Sequence, residues 1–183
     1  MQEKTLKKVV ETADLLNRAL RKVLQTEHGL HAETLIASAA RMSGTLLLRE
    51  VAPEVDRLQP GTTVLSDAAD RQGRALMNTL FTTLGQLGHT DIDTQTLGGA
   101  QASTELSQLS LEQTQRLLEP WYRKIADVAE LSLIEVAAAG AMTAAMLIHD
   151  CRGVLSVSDG CSIAVHGLIE STKTVPVAFA PAA

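Results

Sequence analysis

Between residues 5 and 25, apolar side chains recur at Leu6, Val9, Val10, Ala13, Leu16, Leu20, Val23 and Leu24. Steps of three and four lay a stripe along one helix face, so the segment predicts an amphipathic helix that ends by Gly29. A second stripe, Leu35, Ile36, Ala39, Met42, Leu46 and Leu47, predicts a helix over residues 31–50, limited by Pro53. Ser38, Arg41, Ser43 and Thr45 interrupt it and read as solvent-side residues that bond their own turn, with a polar pocket as the alternative. After the turn Leu58-Gln59-Pro60-Gly61, Ser66 or Asp67 caps a third helix reaching Leu87, with Leu76, Leu80, Phe81, Leu84 and Leu87 as its stripe.

Residues 88–108 hold no sustained period and read as the longest loop, a length that in a folded domain accompanies function or disorder. Ser110 with Gln113 and Ser132 with Glu135 fit the capping box, in which a serine hydroxyl and a later side chain satisfy free amides at a helix start. Between them Pro120 falls inside an apolar pattern, predicting a kink near Glu119 or two short helices. A sixth helix is expected from Ser158 or Asp159 to Thr172, then an irregular tail over 173–183; residues 154–157 and 175–179 read as short extended pieces.

The fifth helix differs in kind. Over residues 136–148 it is apolar or small on every side, with Ala137, Ala138, Ala139, Gly140, Ala141, Ala144 and Ala145, so neighbours must cover it all round. Gly140 permits close approach by a helix of the same chain, by a twin across a dimer interface, or by a small ligand. The expected fold is all-α: a single helical domain over residues 1–183, with flexible residues 1–4 and five to six main helices. They form an orthogonal or irregular bundle around this central Ala-rich helix.

Composition supports one core of Leu, Ala, Val, Ile and Met, since 183 residues contain only two Phe, one Trp and one Tyr. A net charge of −5 gives no general attraction to nucleic acid or anionic lipid. Lys4, Lys7, Lys8, Arg18, Arg21 and Lys22 are interleaved with Glu3, Glu11, Asp14 and Glu27 and read as a solvated face, which ranks a DNA-associated regulator last. The most apolar stretch, 136–148, is 13 residues long against the roughly 20 a membrane span needs, and no signal-like segment opens the chain. No membrane partner is expected, and the expected location is cytoplasmic, where Cys151 and Cys161 are reduced thiols.

Candidate chemistry rests on histidines. His28, His31 and Glu33 lie between the first two helices and offer two imidazoles and a carboxylate as metal ligands, against a role in helix-end electrostatics and capping. His149 precedes Asp150 and Cys151 at the end of the fifth helix, and His166 follows Cys161 on the sixth. Five residues apart, Cys161 and His166 sit roughly 140° apart around a helix and share no face. Cys151 reads as a packing residue rather than a nucleophile. Gly140, Trp121 and Tyr122 are the interface candidates, the aromatics because they supply buried area with a polar handle.

No P-loop, GxGxxG, GxSxG or HExxH motif occurs, nor the paired Glu-x-x-His of a di-iron bundle, so no cofactor is implied. The expectation is a soluble, self-associating helical binding or regulatory protein, a homodimer without enzymatic activity. The alternative is a small-molecule- or metal-dependent enzyme with a histidine-containing site.

Overall fold

Six helices carry the chain: α1 Glu3–Val23, α2 Ala32–Val51, α3 Asp67–Gln86, α4 Leu111–Ala129, α5 Leu133–Cys151 and α6 Val157–Thr172, with a short 3-10 helix, Pro53–Arg57, after α2. This computed structural model describes residues 3–93, 97 and 106–179, and no strand forms among them. Residues 1–2, 94–96, 98–105 and 180–183 lie outside that description, and with them the expectations for the N-terminal end, most of the long loop and the end of the tail.

Local hydrogen bonding sets the helix starts. Ser110 and Ser132 each cap their helix in a complete capping box, and Ser66 accepts from the Ala69 amide. The start of α6 falls slightly before the expected one, because Ser156 rather than Ser158 accepts the Asp159 amide, at 3.1 Å. Pro120 does not divide α4, which runs as one helix through it.

The most completely enclosed helix is α2. Seventeen of its twenty residues are buried, and it packs on α3, α4, α5 and α6, most extensively on α5 and α6. The Ala-rich α5 lies beside it, sharing the centre, with Ala138, Met142 and Met146 only half-buried. By length and composition α5 is apolar enough to cross a membrane; in this fold its apolar surface packs against α1, α2 and α3.

The seams of α2 are made of small residues. A Cβ on Gly44 would stand 2.1 Å from Ser171 Oγ and 2.8 Å from the Leu168 carbonyl oxygen of α6. On Gly140 it would stand 2.4 Å from Ser43 Oγ, so the close approach at Gly140 is made by α2 of the same chain.

Ser38, Arg41, Ser43 and Thr45 are all buried, which corrects the solvent-side reading: the face that carries them is covered by other helices. Arg41 Nε donates to Glu170 of α6 at 2.8 Å, and its Nη1 donates to the Leu109 carbonyl at 2.6 Å. About two turns on, Arg49 Nη2 donates to Glu119 of α4 at 2.9 Å and to the Val177 carbonyl at 2.6 Å, while Nη1 meets Asp56. Gln115 joins the same network, donating to Thr45 at 3.0 Å and accepting the Val177 amide at 3.1 Å. The tail is thereby strapped into the bundle through residue 177, and upstream it bonds residues 61–64, with Val175 N–H donating to Thr62 O at 2.8 Å.

Two stability predictions follow from this packing. Gly44→Ala forces backbone apart and is expected to cost about 1–3 kcal/mol, whereas Gly73→Ala in α3, whose Cβ would meet nothing nearer than 4.0 Å, gains about 0.5–1 kcal/mol. Glu119→Ala takes away the buried carboxylate of Arg49 and leaves it only the half-exposed Asp56, at an expected cost of about 3 kcal/mol, while Glu112→Ala removes only an exposed i,i+4 pair and costs under about 0.5 kcal/mol. Urea unfolding of the four variants checks both orderings.

Candidate functional site

The α1–α2 connection turns on Gly29, at φ +99°, and closes through paired backbone bonds between Thr26 and Gly29 at 3.1 Å. His28 stands exposed on this turn with Nε2 3.4 Å from Glu27. His31 is the N-cap of α2: its Nδ1 accepts from the Thr34 amide at 3.4 Å and lies 2.9 Å from the Thr34 hydroxyl. With Nδ1 accepting, the ring proton belongs on Nε2, which faces Glu33 at 3.3 Å. Thr34 Oγ1 in turn accepts the Gln108 amide at 2.9 Å. Both ring nitrogens of His31 are thus engaged in organising the helix start, and His28 pairs with Glu27 instead of joining His31 and Glu33 in a ligand set.

The candidate histidine that meets a second imidazole is His149. Its Nδ1 lies 2.9 Å from Nε2 of His89, a residue the chain carries just beyond α3. Gly88, at φ +92°, ends α3 in the left-handed conformation, and the His89 amide donates back to the Leu84 carbonyl at 2.9 Å. The two rings are tilted by 58° with centroids 5.1 Å apart. Beside them lies a cavity of about 350 Å³ lined by residues 88–93 and by Val157 and Ser158 at the start of α6.

The neighbouring groups take other partners. Asp150 accepts from Arg21 of α1 at 2.6 Å, and Arg152 donates to the His149 carbonyl at 2.6 Å. His166 is half-buried on α6, with Nδ1 buried and without a hydrogen-bond partner among the described residues. Among the described residues no three His, Cys, Asp or Glu side chains are spaced to hold a metal ion.

Of the three interface candidates, Gly140 and Tyr122 lie inside the bundle, and burial of the Tyr122 hydroxyl pushes its pKa up and keeps it neutral. Trp121 points the other way and is 49% exposed. It borders a groove of about 570 Å³ between α1 and α4, together with Leu15, Ala19, Ile125 and Val128. At one end Lys8 ties the walls together, donating to the Ala129 carbonyl and to Glu130, each at 3.1 Å.

The chain matches no family model, no curated protein and no solved structure. The site must therefore be argued from its own chemistry.

Neither cysteine is activated. Burial raises the Cys151 thiol, with Arg21 opposing and Asp150 and Glu33 adding to the rise, and burial alone pushes Cys161 up to about 11. At pH 8 a thiol near 11 is ionised in about one molecule per thousand, and only the thiolate attacks. Cys161 is expected to resist an aromatic disulfide reagent at pH 8 in the native protein, Cys151 to react slowly, and both to react at once in denaturant; rapid native labelling of Cys161 would contradict this burial.

Proposed function

We propose that this protein acts by association: a self-associating helical binding or regulatory protein, a cytoplasmic homodimer, that uses the α1–α4 groove as its contact face. The observation that supports this reading is the apolar lining of the groove, where Leu15, Trp121 and Val128 are 43%, 49% and 78% exposed on adjoining helices. Scattered exposed apolar residues need no explanation, whereas a contiguous set that includes the chain's one Trp marks a binding surface.

The helix pattern explains how the groove arises. On α4, Leu118, Tyr122 and Ala126 are buried, while Leu117, Trp121, Ile125 and Val128 form an adjoining outward row at the same spacing. The apolar sector of α4 is therefore wider than its own core covers.

A second copy of this chain is the occupant. A two-fold contact sets the same patch against itself, so apolar lining meets apolar lining. The rim carries both signs, Lys8 and Lys124 against Glu11, which lets the acidic side of one copy face the basic side of the other. A metal- or small-molecule-dependent enzyme is the second reading, supported by the His89–His149 pair beside its cavity.

Native mass spectrometry and sedimentation velocity at micromolar concentration are expected to report a dimer. Val128→Glu and Trp121→Ala are expected to give monomers with unchanged far-ultraviolet circular dichroism, because Val128 is largely solvated and Trp121 half-exposed in the single subunit. A wild-type chain that stays monomeric at every concentration reached, or a dimer indifferent to both substitutions, would remove this reading.

A further inference from the structure

We propose that His89 and His149 form a two-histidine site for a divalent transition-metal cation of the borderline class, such as Zn²⁺, Co²⁺ or Ni²⁺. The two residues lie 60 positions apart, and the fold brings one nitrogen of each ring to within 2.9 Å of the other. At most one proton sits between them, and a metal ion takes the same place by accepting a lone pair from each ring. Two nitrogens bound tetrahedrally at about 2.0–2.1 Å stand about 3.3 Å apart, so the two rings, which meet nearly head-on, need to open from 2.9 Å by about 0.4 Å and to turn until both lone pairs converge on the ion. The ring that donates the shared proton changes tautomer, carrying that proton on its other nitrogen, and no net proton is released.

Position reinforces the chemistry. His149 lies in the last turn of α5 and His89 in the turn that ends α3, so two helix C-termini point their partial negative charge at this spot and favour a cation there. Arg152 already answers part of that field through the His149 carbonyl, leaving the ring nitrogens to the incoming ion. Both rings stand on fixed backbone, one in a helix and one in a turn held by the Leu84 carbonyl, which lowers the ordering cost of binding.

The choice of metal follows from the donors. Imidazole nitrogen suits Zn²⁺, Co²⁺, Ni²⁺ and Cu²⁺, whereas Mg²⁺ and Ca²⁺ want oxygen. The adjoining cavity of about 350 Å³, with Asp91 on its wall, gives room for the waters that complete the coordination. Two protein ligands and several waters make a weak site, and the bound ion would tie the end of α3 to the end of α5.

Co²⁺ is the probe, added to chelator-treated full-length protein and read by visible absorption and by the thermal midpoint. A Co²⁺-dependent band and a raised midpoint are expected for the wild type and for His28→Ala and His31→Ala, with Mg²⁺ giving neither. His89→Ala and His149→Ala are each expected to weaken Co²⁺ at least about tenfold, a loss that removing an outer-shell partner already causes. His89→Gln and His149→Asn serve in the same comparison if an alanine variant fails to fold. No Co²⁺ effect at millimolar concentration overturns the proposal. So does an effect that survives loss of either paired histidine, or one that disappears with His28 or His31.

Discussion

Two arginines inside the most enclosed helix constrain everything around them. The side chains of Arg41 and Arg49 are 3% and 2% exposed, and a buried guanidinium without a carboxylate costs several kcal/mol, a large share of the 5–15 kcal/mol that holds a typical domain together. Glu170 of α6 and Glu119 of α4 supply the counter-charges. Apolar burial alone is non-directional and would let α4 and α6 slide on α2; ion pairs with hydrogen-bond geometry set their registers. Small residues at the seams then allow the backbones close enough for those bonds to form, with Gly44 against Ser171 and Gly140 against Ser43.

The same constraint leads outward from the core. Glu119 also accepts from Arg123 at 2.9 Å, and Arg123 stands 4.3 Å from the Phe179 ring, so the tail is held to α4 both at Val177, through Gln115, and at Phe179. With Glu119 and Tyr122 committed inward, the neighbouring Trp121 must face away from the core. The groove is in this sense a by-product of the ion pair. Once α4 is turned to place Glu119 on Arg49, its wide apolar sector leaves one row uncovered beside α1.

Features fixed by neighbours in sequence were legible in the chain, and features fixed by distant partners were not. The two capping boxes and the stripes of α1 and α3 depend on residues three or four apart; the boxes appear where the pattern predicts, and Val9, Ala13, Leu16 and Leu20 of α1 and Leu76, Leu80 and Leu84 of α3 are buried, whereas Leu6 and Val10 stay exposed. Arg41 and Thr45 read as solvent-facing because periodicity separates apolar from polar positions and is blind to partners far along the chain, Glu170 for Arg41, 129 residues away, and the Gln115 amide for Thr45, 70 residues away. For the same reason α5, apolar all round, reads as more central than α2, whose polar residues conceal a more complete enclosure. His149 was visible as a candidate but its partner was not: His89 sat in a stretch without period, and only the glycine-ended turn after α3 aims it across the bundle. His31 carried the opposite ambiguity, resolved because Thr34 and Glu33 occupy both of its nitrogens.

The groove lies between α1 and α4 and the paired histidines at the ends of α3 and α5, and the link between them is the packing of α5 on α1. Thr143 of α5 donates to the Ala13 carbonyl of α1 at 3.0 Å, behind the groove, and the same helix ends at the histidine pair. Shared structure is not coupling, since one site influences another only through an element with two arrangements that both ligands bias. The buried stretch of α5 from Val136 to Ile148 is packed on α1, α2 and α3 with a glycine and several alanines at the contacts, and close-packed small residues leave little volume for a second register. A cation at the helix ends would then lower the free energy of the folded chain as a whole without favouring the associated form over the single one. A cation at the helix ends and a second copy in the groove would then act on separate surfaces of one bundle.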